Sequence, residues 1–266
     1  MSLTQEEGIL LRSHAYSESS KVLRVLTPGR GVLPLMARGL RRKVGRGEGA
    51  VDTFDQVQIV YSFRPQRDLQ TLTELHVLRS RQALGSDLLR FAGASLLAEM
   101  LLAHALEEGS PPLFLEVARS LDRLLDAESE QIAGVLISAG WRLLAYLGFA
   151  PELEACVRCG TGLDAVEGTV ATPAAARTEE GILLRFSSLQ GGLLCEECGH
   201  GSAGSRLGPG ARDDLRRLLA GAPPTPLRGS PVHLSLLEAF ALGHLAPRNA
   251  FRSVELLRAA LDKGRG

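Results

Sequence analysis

The chain reads as an α+β multidomain protein: a small barrel of strands, then a helical domain carrying an inserted four-cysteine module. Three observations lead there. Residues 8–79 break into short apolar runs separated by turn signals. Residues 86–148 switch to apolar residues at three- and four-residue spacing. The chain's four cysteines then fall in two C-x2-C pairs, between that helical stretch and a second one. Period two marks strands, period 3.6 marks helices, and a paired-thiol spacing marks a metal site.

Gly8–Tyr16 and Lys21–Thr27 are apolar runs with charged edges. Pro28-Gly29-Arg30-Gly31 is a turn signal that leads into Val32–Arg38. Pro34 places that third run at an edge or a bulge, because proline donates nothing to a ladder. Val57, Ile59, Tyr61 and Phe63 alternate with Gln56, Gln58, Val60 and Ser62, the pattern of a half-buried strand. Leu69–Leu78 is a fifth run. Five short strands over residues 1–80 suit a closed barrel, of which the OB-fold is a common kind. An SH3-like barrel or a small sandwich would leave much the same pattern.

Asp87–Leu106 is apolar nearly all round and is expected as a buried helix. Ser110-Pro111 is a cap with proline in the first turn, followed by Phe114, Val117, Leu121 and Leu124 on one face. Ser129 is the expected cap of a third helix with Ile132, Leu136, Ala139, Leu143 and Leu147 on its face, stopped by Gly148 and Pro151. Trp141 lies beside that face and reads as core. Helices resume at Ala211–Ala220, Pro231–Leu245 (after the Ser230-Pro231 cap) and Arg252–Leu261, with Gly221–Pro226 as an extended linker. This gives a helical domain of residues 81–151 and 205–266, interrupted by an insertion at 152–204.

Cys156, Cys159, Cys195 and Cys198 are the only cysteines. Two residues between thiols let both sulfurs of a pair turn onto one ion. Two pairs complete a tetrahedral four-thiolate site that suits one structural Zn²⁺ per chain in a zinc-ribbon-like module. Such a site leaves no open position for water, which argues against a hydrolytic metal. Two disulfides or a thioredoxin-like pair are the competing readings. Met1–Leu26 lacks the leader that an oxidising compartment would call for. Gly181–Ser187, bracketed by Thr172-Pro173 and Gly191-Gly192, reads as a strand inside the insertion. His200 is a neighbour rather than a ligand.

The 266 residues are 45% hydrophobic, enough for two or three domains, and thirty basic residues balance thirty acidic ones. No apolar run approaches the ~20 residues of a membrane helix, so a soluble, cytoplasmic protein without membrane contact is expected. The charge is unevenly placed. From Lys21 to Arg46 there are eight basic residues (Lys21, Arg24, Arg30, Arg38, Arg41, Arg42, Lys43 and Arg46) and no acidic one. Clustered arginine and lysine with glycine is the footprint of phosphate binding, and on a small barrel loops and one sheet face form the groove. Tyr16, Tyr61 and Phe63 are the candidates for base stacking, although Tyr61 and Phe63 also suit a core. A merely solvated charge run is the alternative.

No phosphate loop, nucleophile elbow or H-E-x-x-H helix is present, the six histidines are scattered, and no carboxylate pair is persuasive. A non-enzyme is expected. The runner-up function is a zinc-containing interaction adaptor without direct DNA affinity.

Gly8-Ile9-Leu10-Leu11-Arg12, Tyr16-Ser17-Glu18, Lys21-Val22-Leu23, Thr27, Gly31, Ala37-Arg38-Gly39 and Asp68-Leu69-Gln70-Thr71-Leu72, in that order, resemble the RecO family of bacterial DNA repair proteins. His244-Leu245 followed by Arg252-Ser253-Val254-Glu255-Leu256-Leu257 is similar to its closing helix. The resemblance implies a recombination mediator that binds single- and double-stranded DNA and anneals complementary strands without nucleotide or small-molecule substrate. Its implied partners are RecR and the C-terminal tail of the single-stranded-DNA-binding protein, and its implied role is loading RecA on coated gaps in the RecF pathway. It also implies a nucleoid-associated place of action during repair.

Overall fold

A computed structural model describes residues 2–18, 20–39, 51–104, 108–163, 177–178, 181–245, 247 and 249–263. Its contacts group into two compact units, Met1–Glu128 with Phe251–Gly266, and Ser129–Ala250.

The first unit opens with strands β1 (Ser2–Ser17), β2 (Ser20–Thr27), β3 (Gly31–Arg38), β4 (Gln56–Phe63) and β5 (Gln70–Arg79). They close into a barrel in the order β1-β2-β3-β5-β4, antiparallel except for β3 beside β5, which is the OB-like arrangement. Alternation drives closure. Leu10, Leu23, Val25, Leu35, Val57, Ile59, Tyr61, Leu72 and Leu75 point inward and form one buried cluster. Pro34 pairs with Arg24 of β2 and precedes the short stretch, Leu35–Met36, where β3 meets β5. Its missing N–H therefore interrupts no bond of that closure.

Helices α1 (Leu88–Ala103) and α2 (Pro111–Asp126) follow a 3-10 turn, and the last helix α7 (Arg252–Lys263) packs on α1. Asp87 accepts from the backbone N–H of Arg90, and Ser110 from that of Leu113, so both helices start on a side-chain cap. Helix α1 buries Ala92, Leu96, Leu97, Met100 and Leu101 but leaves Leu88 and Phe91 part-exposed. Arg81 ties the barrel to α2 and is 1% exposed. Its Nε donates to Asp122 Oδ1 at 2.7 Å, its Nη1 to the Phe54 carbonyl at 3.0 Å, and its backbone N–H to Asp55 Oδ1 at 2.7 Å. Ser253 of α7 donates to Glu99 of α1 at 2.8 Å.

The second unit holds α3 (Ile132–Tyr146), the strands β6 (Arg177–Thr178), β7 (Gly181–Ile182), β8 (Leu184–Ser187), β9 (Gly192–Leu194) and β10 (Ser205–Leu207), the one-turn helix α4 (Glu196–Gly199), and helices α5 (Pro209–Leu219) and α6 (Ser230–Leu245). Trp141 is fully buried with Phe186 of β8 and Phe240 of α6, ring centroids 6.2 and 5.2 Å away. The helices expected as one domain are thus divided between the units, because the apolar face of α7 (Val254, Leu257) is buried on α1 while α3, α5 and α6 gather around Trp141. Helix α3 begins after Gln131 without a side-chain cap, so Ser129 does not act as expected. The strand foreseen over Gly181–Ser187 is present as β7 and β8, broken at Leu183. Thr172-Pro173 and Leu106 lie outside the described residues.

Candidate metal centre and nucleic-acid interface

The four cysteines converge. The sulfurs of Cys156, Cys159, Cys195 and Cys198 all lie within 4.8 Å of one another, and all four thiols are free. Four thiolates about 2.3 Å from one tetrahedral ion sit about 3.8 Å apart, and Cys159 Sγ is 3.7 Å from Cys195 Sγ. Strand β9 organises both pairs. Val157 donates its backbone N–H to the Leu193 carbonyl at 2.9 Å, which fixes the first pair beside β9, and β9 runs directly into Cys195 at the start of α4. Gly192 permits this: a Cβ there would meet the Glu152 carbonyl oxygen at 2.3 Å. The first turn closes through Cys156 N–H to Thr161 O and Gly160 N–H to Cys156 O, both 2.8 Å. The second closes through Gly199 N–H to Cys195 O at 2.8 Å.

Two arginines stitch the turns together. Arg158, between the first cysteines, donates to the Cys198 carbonyl at 2.9 Å and to Ser202 Oγ at 3.3 Å. Arg185 of β8 donates to the carbonyls of Gly199 at 3.0 Å and Gly204 at 2.9 Å. The thiols do not ionise alike. Burial opposes ionisation of Cys156, but backbone N–H groups of Cys195, Cys159 and Arg158 outweigh it and hold that thiol down to about 6. The hydrogen bond to the Cys195 sulfur pushes Cys198 up to about 12. Four crowded sulfurs cannot all carry charge alone, and a bound cation would replace the protons they share. His200 is exposed and belongs to no cluster of ligand atoms among the described residues.

On the barrel, the expected basic residues fall in two places. Arg24 and Arg30 line a groove of about 1070 Å³ on the outer face, together with Arg12, His14, Phe63 and Arg67. Lys21 and Arg38 are exposed at the end of the β2–β3 pair, where Ser20 faces Arg38 and Lys21 faces Ala37. Tyr16 is 69% exposed at the same end of β1. Arg41, Arg42, Lys43 and Arg46 lie outside the described residues. Of the stacking candidates, Tyr61 is fully buried core, and its hydroxyl donates to Glu6 Oε1. Burial, and then that bond, holds the phenol well above its ordinary range.

Register assembles the groove. Arg12 of β1 and Arg24 of β2 are direct cross-strand partners, and Arg24 is in turn opposite Pro34. Like charges directly opposite are destabilising, and neither guanidinium has an ion-pair or hydrogen-bond partner among the described residues. Arg30 is set by the turn, where its backbone N–H donates to Thr27 Oγ1 at 3.1 Å. The connection between α1 and α2 presses on that turn, for a Cβ at Gly109 would lie 2.2 Å from the Gly29 carbonyl carbon. Gln70, 4% exposed, folds the 64–69 loop over itself by accepting from Arg64 N–H at 2.8 Å and donating to the Arg64 carbonyl at 3.0 Å and to that of Arg67. This presents Arg67. Asp68 and Glu108 also line the groove, so it is basic rather than uniformly so. Arg12, His14 and Arg67 were missed as site residues, because only the strand register and the Gln70 bonds bring them to Arg24 and Arg30.

Residues 1–81 match the family described as Recombination protein O N terminal, and residues 85–240 match Recombination protein O C terminal. The chain is 31% identical over 225 residues to the DNA repair protein RecO of Symbiobacterium thermophilum, covering 83% of this chain and 81% of that one. It is 32% identical over 200 residues to that of Rubrobacter xylanophilus, covering 74% and 72%. It is 30% identical over 220 residues to that of Heliobacterium modesticaldum, covering 82% and 74%.

Proposed function

The chain belongs to the RecO family of DNA repair proteins, and from that premise we propose that it is a recombination mediator that anneals complementary DNA strands on the outer face of its barrel. It binds single- and double-stranded DNA, works with RecR and the C-terminal tail of the single-stranded-DNA-binding protein, and helps load RecA on coated gaps in the cytoplasm. The observation that carries this reading is the opposed pair Arg12 and Arg24 in a groove with Arg30 and Arg67. A fold that tolerates this repulsion has a use for it, and a polyanion relieves it. Phosphates on two strands repel each other, and a basic surface that releases their counterions lets them approach closely enough to pair. Lys21 and Arg38 add positive charge at the end of the β2–β3 pair, and Arg41, Arg42, Lys43 and Arg46, which follow in the sequence, are proposed to bind DNA with them. Annealing needs no bond chemistry, so no catalytic residue is assigned.

The ion at Cys156, Cys159, Cys195 and Cys198 is Zn²⁺, one per chain, and when bound it supplies a closed structural crosslink with no open position. The residues around it hold and orient the thiols: β9 aligns the two turns, and Arg158 and Arg185 neutralise the carbonyls of the second.

The test is fluorescence annealing of complementary oligonucleotides, without nucleotide, across a salt series. Arg12→Gln with Arg24→Gln is expected to slow annealing and to lower the salt slope of single-strand binding by about 1.4, at about 0.7 per lost phosphate contact. An unchanged rate and slope would remove the groove as the site. Charge reversal at Arg41, Arg42 and Lys43 together measures the share of binding that those three residues carry.

A further inference from the structure

We propose that Phe63 is a nucleobase platform that Arg30 covers in the DNA-free protein, so that the groove favours single strands; this rests on the DNA-binding reading above. Phe63 ends β4, lines the groove and is half-buried. Its ring meets Tyr61 edge-on, centroids 6.5 Å apart at 85°, which fixes its orientation from the core side. Over the ring lies the guanidinium of Arg30, with Cζ 3.8 Å from the centroid.

Arg30 is drawn there from two sides. The ring's π-face attracts the cation, and Glu6 Oε1 lies 3.7 Å from Arg30 Nε. Glu6 is itself anchored, because the buried Tyr61 hydroxyl donates to it. The Glu6 side chain is 15% exposed and that of Arg30 is 38% exposed, so Arg30 is the member that solvent and ligand reach. An unstacked base offers a flat π-face that competes for the ring. Displacing Arg30 does not waste its charge, since the same groove holds Arg12, Arg24 and Arg67 for the backbone. A duplex keeps its bases stacked on each other. It reaches the arginines but not the ring, and discrimination between single and double strands follows.

The test uses the full-length, zinc-loaded protein and three probes of equal length: a thymidine oligomer, an abasic oligomer and a duplex. The unaltered protein is expected to bind the thymidine oligomer about tenfold more tightly than the abasic one, the scale of stacking one base on an aromatic ring. Phe63→Leu is expected to abolish that difference, bringing the affinity for the thymidine oligomer down to that for the abasic one. Leucine keeps an apolar side chain against the barrel core on which Phe63 packs, and an unchanged Tm checks that the barrel is intact. Glu6→Gln loosens the hold on Arg30, and it is expected to widen the thymidine-to-abasic ratio a few-fold. Equal binding of both oligomers by the unaltered protein, or a full difference surviving in Phe63→Leu, would overturn the platform. An unchanged ratio in Glu6→Gln would overturn the cover. If the unaltered protein bound none of the three probes, the DNA-binding reading would fall, and this proposal with it.

Discussion

The metal centre and the barrel groove both crowd groups of one kind into a small space, and they resolve the crowding in opposite ways. At the cysteines the two flanking arginines are bonded to groups of the module itself. Arg158 and Arg185 spend their N–H groups on carbonyls of the second turn, and the four sulfurs face one another. In the groove, Arg12 and Arg24 face each other across a strand pair, and neither has an acidic partner among the described residues. The first arrangement is complete once one ion is bound. The second is complete only with a partner. An arginine whose guanidinium is already committed holds a structure, and one left opposite another arginine is available to a ligand.

That contrast breaks most visibly at the four cysteines. Replacing all four cysteines by serine is expected to remove amide-exchange protection across the described part of residues 152–204, because such sites supply folding free energy on the order of 10 kcal/mol. The barrel is expected to keep its DNA affinity. Retained protection in the cysteine-free variant would show that the module stands without its ion, and lost DNA binding would show that the two regions are not independent.

A third arginine sharpens the comparison from the buried side. Arg81 is committed like Arg158, but in the barrel unit, where it is 1% exposed and bonded to Asp122, Gln56 and two backbone carbonyls. Arg81→Ala leaves Asp122 and those carbonyls without it, and is expected to cost about 3–5 kcal/mol in denaturant unfolding. A change below about 1 kcal/mol would contradict the role assigned to it as the tie between barrel and α2.

The groove arginines are expected to behave in the opposite sense. Arg24→Gln removes a like-charge contact and is expected to raise stability by a few tenths of a kcal/mol while weakening DNA binding. A variant that lost both stability and binding would mark Arg24 as a structural residue.

The smallest effect concerns protons. Cys198 is pushed up to about 12 by its bond to Cys195, so near neutral pH it holds its proton when no cation is bound. Zinc must displace that proton, so binding is expected to release protons and to weaken as pH falls. Calorimetric titration in buffers of different ionisation enthalpy reads this directly. Proton-neutral binding at pH 7 would contradict it.

Much of this was legible in the residues. The alternation through Val57, Ile59, Tyr61 and Phe63 marks β4, the C-x2-C spacing marks the four thiols that converge, and Ser110-Pro111 marks the start of α2. The groove was not. Arg12 meets Arg24 through a register that shifts between Leu10 and Arg12, and no local pattern announces a bulge. Arg67 is placed by bonds from Gln70, a residue visible in the sequence only as part of a motif. The densest basic run of the sequence, Arg41 to Arg46, lies outside the described residues, while Arg12 and Arg24 on strands, Arg30 in a turn and Arg67 in a loop line one groove. Ser129 had the chemistry of a cap, yet the helix starts later because Ile132, not Ser129, begins the buried face. Division of the helices between two units also has no local signal, since it depends on α7 returning to α1.

The most direct test of the central claim is the annealing rate of complementary oligonucleotides with Arg12→Gln and Arg24→Gln together, measured across salt beside the four-cysteine variant. Slowed annealing with a shallower salt dependence in the arginine variant, and near-normal annealing in the cysteine variant, is the expected result. Normal annealing in the arginine variant with loss in the cysteine variant would contradict the account and move the DNA interface to the unit that holds the four cysteines.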